Sequence, residues 1–266
     1  MFDFLIDTAN IDYISKLVDK VPFERIRCLG ITTNPNAMAK EGLHSLASWL
    51  EVVPKLAKLV FDIRGDYHGQ VHVQIPDCNM SVGEVISFIS EVKGIFPTEY
   101  ADLAIKIPPY FSLSEMSQLE GRAFLNVTGL TEAGTCLGCL SKGADFVSII
   151  PGRMEEVGIN ANAHLEYLHS TLEHNRKVIT GSMRTIQGLT EAVRYGTLPT
   201  IGTRVWDLIL DQPEFLNEPI EVSQRNRSYA PFGGEENLKL SNEFFYQMNK
   251  LGAEAYKDFK CVLRSS

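Results

Sequence analysis

The stretch "FDFLIDTANID", residues 2–12, decides between two folds. It begins as a short apolar run of strand length, Phe2–Asp7, and passes into a segment with helical spacing, Asp12–Lys20. In an open doubly wound sheet the turn after the first strand carries a glycine-rich phosphate loop, and "DTANID" contains no glycine. In a closed barrel that turn carries a polar residue at the strand's C-terminal end, and Asp7 stands there.

The same alternation continues along the chain. Strand-length runs fall at Ile26–Thr33, Gln70–Ile75, Leu103–Ile107, Ala123–Thr128, Asp145–Ile150, Lys177–Gly181 and Leu198–Gly202. Amphipathic segments between them cover Ser45–Val60, Val82–Lys93, Thr131–Lys142, Asn162–Asn175 and Thr185–Tyr195, with weaker ones at Ser112–Gln118 and Arg204–Leu210. Eight strands alternating with helices predict a (β/α)8 TIM barrel. Beyond Pro213 the pattern changes: 214–237 is polar and turn-rich and reads as a long surface connection. Residues 238–262 follow as an additional C-terminal helix, with Leu240, Phe244, Phe245, Met248, Leu251, Ala255 and Phe259 on one face. That face either caps its own barrel or meets a neighbouring subunit. The expected organisation is a single catalytic domain over residues 1–266.

Composition narrows the function classes. A net charge of −8 in 266 residues argues against nucleic acid or an anionic membrane as the main partner. No run has the length of a membrane span, and five cysteines with no export signal at the N-terminus predict a reduced, cytoplasmic setting. "CLGC", 136–139, has redox or zinc spacing but no second ligand pair, and its helical context predicts two buried thiols. The six histidines show no ligand clustering, although His72 and Gln74 share one strand face.

Within "YADLAIKIPPY", 100–110, Lys106 interrupts an apolar run. A buried ammonium is costly unless it is paired or loses its proton. An amine in an apolar setting has a lowered pKa, so more of it is free to attack a carbonyl and form an imine. The remaining strand ends supply Asp7, Asn34, Gln74, Asn126, Thr128, Arg153, Ser182 and Arg184, which a barrel would bring together.

These segments resemble the transaldolase and fructose-6-phosphate aldolase family. "FLIDT" (4–8), "GITTNP" (30–35), "AIKIP" (104–108), "LNVT" (125–128), "GADFVSIIPGR" (143–153) and "TGSMR" (180–184) are similar, in order, to the family's motifs at strands 1, 2, 4, 5, 6 and 7. The resemblance implies that Lys106 is the Schiff-base nucleophile and that Asp7 holds a substrate hydroxyl and moves protons. It implies that Thr128 holds a proton-shuttling water. Asn34, Asn126 and Ser182 would bind a dihydroxyacetone unit, while Arg153 and Arg184 clamp a sugar phosphate. Metal and organic cofactors are not needed for imine chemistry. The implied partners are small-molecule sugar phosphates of the pentose phosphate kind and further copies of the chain, as a homo-oligomer.

Four positions depart from the pattern: Gln74, Pro109, Tyr110 and Ile150. Gln74 in "VHVQIP" stands where transaldolases place a glutamate and looks more like the aldolase branch; Asn126 looks more like the transaldolase branch. Ile150 stands where the family has an aromatic residue, and Pro109-Tyr110 follows the lysine strand, so Tyr110 becomes a candidate displaced phenol. The expectation is transfer of a dihydroxyacetone unit between sugar phosphates. Simple aldol cleavage that releases dihydroxyacetone, and a catalytically silent barrel that binds a sugar phosphate or a protein partner, are the alternatives.

Overall fold

The computed structural model describes residues 2–21, 26–64, 68–173, 177–225, 231 and 234–265. Eight parallel strands close into a barrel in the order β1 to β8, with β1 (Asp3–Asp7) pairing β8 (Leu198–Gly202) to complete the ring. Between them lie β2 (Arg27–Thr32), β3 (Gly69–Gln74), β4 (Ala101–Ile107), β5 (Phe124–Leu130), β6 (Phe146–Ile149) and β7 (Val178–Thr180). All eight expected strands are present, with ends within two residues of those read from the sequence. Most are apolar on both faces because one face fills the barrel and the other meets the helices.

The helices are α1 (Ile11–Val18), α2 (Pro35–Lys40), α3 (Leu46–Arg64), α4 (Val82–Ile95), α5 (Leu113–Leu119), α6 (Ala133–Ser141), α7 (Pro151–Glu156), α8 (Ala161–Thr171), α9 (Ile186–Arg194), α10 (Thr203–Asp211) and α11 (Glu235–Ser265). A 3-10 turn, Pro213–Asn217, follows α10. The helix starts are written locally: Ser81 and Ser112 form reciprocal capping boxes with Glu84 and Glu115, and Asn10, Asn34, Asn160 and Thr185 cap through their side chains. On α6, Cys136 and Cys139 are both buried, as the helical pattern predicted. The last two positions of the helix expected over Asn162–Asn175, and positions 226–230 and 232–233 of the expected connection, lie outside the described residues.

The C-terminal helix takes the first of its two expected courses. α11 folds back onto its own barrel and buries Leu240, Phe244, Phe245, Met248, Ala255 and Phe259. Phe259 meets Phe88 of α4 edge to face at 5.8 Å. Its polar face is also tied down. Asn249 Oδ1 accepts the Cys78 backbone N–H at 2.6 Å, Asp258 Oδ2 accepts that of Leu46 at 3.2 Å, and Lys260 pairs with Glu84. Two glycines make the close approach possible. A Cβ at Gly252 would run into the Pro76 carbonyl oxygen, and one at Gly129, where φ is +76°, would run into the rings of Phe244 and Phe245.

Candidate active site

Strand register brings the polar strand ends together. Asp7 lies opposite Thr32, and Lys106 lies between Gln74 on β3 and Asn126 on β5. Lys106 is 7% exposed, and its Nζ donates to Thr32 Oγ1 at 3.1 Å and to the Thr33 carbonyl oxygen at 2.9 Å. Both acceptors are neutral, so they orient the amine without repaying the loss of hydration of a full charge. Burial therefore lowers the Lys106 pKa to about 8, against an upward pull from Asp7. Burial raises the pKa of Asp7, opposed by Lys106, Lys40, Arg184 and a hydroxyl contact from Thr200. Each group is pushed toward its neutral form, the condition in which a lysine attacks and a carboxyl group trades protons.

Asn34 does two jobs at once. Its Oδ1 accepts the Ala37 backbone N–H at 2.9 Å, capping α2, while its Nδ2 reaches Asp7 Oδ1 at 3.4 Å. Asp7 does not cap the helix that follows it; Asn10 does.

Asp7, Asn34, Arg153, Ser182 and Arg184 line one cavity of about 290 Å³ at the C-terminal ends of the strands. Lys106, Gln74, Asn126 and Thr128 are buried within the barrel. Gln74 is 1% exposed; its Oε1 has no hydrogen-bond partner among the described residues, and its Nε2 lies 4.0 Å from Cys78 Sγ. An amide oxygen can hold a water there but cannot take a proton as a carboxylate would.

The two arginines differ. Arg153 sits in α7, opened by Pro151, and its guanidinium lies over the Phe244 ring at 5.5 Å, with a buried Nε that has no hydrogen-bond partner among the described residues. Burial and the nearby Arg184 lower its pKa, against Glu156 and Glu243. Arg184 is already engaged: its Nε donates to Glu156 Oε1 at 2.8 Å. Ser182 carries φ of +58°, unusual for a residue with a side chain, and its carbonyl oxygen leaves no room for a Cβ at Gly152. That contact locks the turn after β7 against the one after β6.

Tyr110 does not line the cavity. It is 56% exposed and packs edge to face on Phe245 at 5.2 Å. Ile150 is buried with Cys78, Phe244, Phe245 and Met248, an apolar bed for α11. Sequence reasoning missed Lys40 and Arg204, which add two further cations to the cavity lining, and the wall that Phe244 and Met248 of α11 contribute. It also left His72 unassigned. A Pro at the first helical position marks both α2 and α7 and was the available signal for those two short helices.

Fold and polar strand ends together define a (β/α)8 barrel with a cation-rich cavity at the C-terminal strand ends and, outside that lining, a buried lysine on β4. No family model matches the chain. It is similar to curated proteins named "Probable transaldolase". The one from Bacteroides thetaiotaomicron is 26% identical over 196 residues, covering 73% of this chain and 83% of the relative. Those from Clostridioides difficile and Brevibacillus brevis are 26% and 27% identical, each over 79% of this chain and 90% and 91% of the relative. Among solved structures, thiamine phosphate pyrophosphorylase from Pyrococcus furiosus superposes with a TM-score of 0.54 at 9% identity, over 81% of this chain and 95% of that one; the likeness is of fold alone. The chain is transaldolase-like over about three quarters of its length. No described helix is long and apolar enough to cross a membrane.

Proposed function

We propose that this chain is a class I transaldolase-type enzyme acting on sugar phosphates through a Schiff base on Lys106. The free amine attacks the ketone carbon of a ketose phosphate such as fructose 6-phosphate, and loss of water gives a protonated imine. The bond between C3 and C4 then breaks. Its electron pair moves into the imine as an enamine, and Asp7 takes the proton of the C4 hydroxyl as the aldehyde phosphate leaves. The three-carbon enamine adds to an acceptor aldehyde phosphate, the proton returns, and water releases the product from the lysine. In this reading Asn34, Asn126 and Ser182 hold the dihydroxyacetone hydroxyls. Thr128 and Gln74 hold the water that carries protons, and Arg153 and Arg184 bind the phosphate.

The observation that carries this reading is Lys106 itself: a lysine buried at the end of β4, held by two neutral oxygens, with its pKa lowered to about 8. Roughly a tenth of such a lysine is free amine at pH 7, against about one part in three thousand for an ordinary one. Gln74 favours a second reading, aldol cleavage that releases dihydroxyacetone, because no carboxylate stands there to activate the water.

Borohydride reduction in the presence of fructose 6-phosphate, followed by peptide mass spectrometry, tests the mechanism. The expected result is a reduced three-carbon or six-carbon adduct on Lys106 that Lys106→Ala loses. Tight sugar-phosphate binding with no adduct would make the barrel a binding protein. Omitting the acceptor aldehyde separates the two enzymatic readings: a transferase then stalls after one turnover, and an aldolase continues.

A further inference from the structure

A file of polar side chains crosses the barrel interior from β3 to β6, beside Lys106. His72 is fully buried; its Nε2 lies 3.1 Å from Gln70 Oε1, and its Nδ1 lies 3.1 Å from Asn126 Nδ2. At the far end Ser148 Oγ donates to Asn126 Oδ1 at 2.7 Å. The β-strand period of two puts Gln70, His72 and Gln74 on one face of β3.

A neutral imidazole has one donor and one acceptor, so the two ends of this file are not independent. Burial first, and the Lys106 charge second, hold the His72 pKa down at about 3, so the ring is neutral at working pH. With Nε2–H donating to Gln70, Nδ1 presents a lone pair and accepts from Asn126 Nδ2. Asn126 then turns its carbonyl to Ser148. Reversing Asn126 would set its oxygen against that lone pair unless His72 changed tautomer and Gln70 turned over as well. The file switches as a unit or not at all.

We propose that His72 is a positioning residue: it fixes the amide orientation of Asn126 and so determines which hydrogen-bonding group Asn126 offers to a three-carbon unit held on Lys106. The proposal rests on the Schiff-base reading above, and it gives a role to a histidine that does not line the cavity. One N–H and one lone pair of Asn126 remain unspent after its contacts with His72 and Ser148, and their directions are those the file dictates. The bland alternative is a core histidine that merely satisfies its own ring nitrogens.

Three substitutions separate the two. In His72→Asn the side-chain oxygen stands close to the place of Nδ1 and can accept from Asn126; in His72→Gln the amide stands nearer the place of Nε2; His72→Leu keeps neither. The expected result is that His72→Leu and His72→Gln lower the rate of imine trapping and kcat/KM for the ketose about 10- to 100-fold, the cost of a misplaced contact. His72→Asn is expected to return to within about fivefold of the unmodified chain. Inorganic phosphate, bound by the arginines, should keep its affinity in all three. Unchanged trapping in folded His72→Leu or His72→Gln overturns the proposal, as does a folded His72→Asn impaired as deeply as the other two.

A second readout needs no activity. In 15N spectra of the unmodified chain the ring should show a protonated Nε2 and a bare Nδ1, with the Asn126 side-chain amide shifted by its bond to that nitrogen. A protonated Nδ1 would overturn the proposal even if the enzyme traps its substrate. Failure of every ketose to form an adduct with the unmodified chain, with the nitrogen spectrum as expected, would remove the Schiff-base reading and leave the Asn126 orientation standing.

Discussion

Lys106 lowers the stability of the fold that holds it. Its pKa is about 8 in the barrel and near the usual lysine value once the chain unfolds, so below pH 8 the unfolded chain binds the proton more tightly. The penalty is fully present at neutral pH and fades as the pH rises from 8 toward about 10.5, where neither state is protonated. A shift of this size corresponds to at most roughly 3 kcal/mol, less what Asp7 gains from its charged neighbour. Lys106→Met should therefore raise the urea midpoint at pH 7 and show a smaller gain near pH 10; an equal gain at both would mean that protonation is not the cost. His72 acts at the opposite end of the scale. Neutral in the fold down to about pH 3, it must stay neutral while the unfolded chain takes up a proton below about pH 6.5. Between those limits the unmodified chain should lose about 1.4 kcal/mol per pH unit on this account. The slope of stability against pH from 6 to 4 should be shallower in His72→Asn.

At the scale of elements, α11 helps to build the cavity, because it supplies Phe244 and Met248 to its lining and Phe244 to Arg153. Its seat depends on Gly252 lying against the Pro76 carbonyl. Gly252→Val should push the helix off the turn after β3 and cost about 1–3 kcal/mol. It should also weaken phosphate binding by loosening Arg153; a stable variant with unchanged phosphate affinity would show that the helix does not position the arginine. How such features divide between readable and hidden follows from range. The barrel strands were legible because burial on both faces leaves an apolar run; Lys106 and Asp7 stood out as charges at the ends of such runs, and Arg153 drew its role only through the resemblance. α2 and α7 were not, since each has six residues and opens on a proline that also reads as a turn. The Gln70–His72–Asn126–Ser148 file was hidden for another reason. Its central contact joins residues 54 positions apart, and only the register of three neighbouring strand pairs places them together. Lys40 and Arg204 hang from helices, so their approach to the rim is set by packing that no local pattern reports.

The whole molecule carries a net charge of −8, yet its candidate site gathers Lys40, Arg153, Arg184 and Arg204 around one cavity, against Asp7 and Glu41 in the same lining. Such a local reversal of sign draws small anions in while the acidic exterior discourages polyanions, and salt should weaken it. The strength of that field depends on how many cations are free. Arg184 is partly spent on Glu156, in an ion pair whose side chains are 37% and 54% exposed. A pair that open to water contributes roughly 0–1 kcal/mol, so a phosphate that displaces Glu156 gives up no more than this. Glu156→Gln removes the competitor and one negative charge at the rim while keeping the side chain's shape. Inorganic phosphate should then bind about two- to fivefold more tightly, and the gain should shrink at high ionic strength. Isothermal titration at two salt concentrations reads both effects. Weaker binding in Glu156→Gln would mean that the pair orients Arg184 for phosphate rather than competing for it.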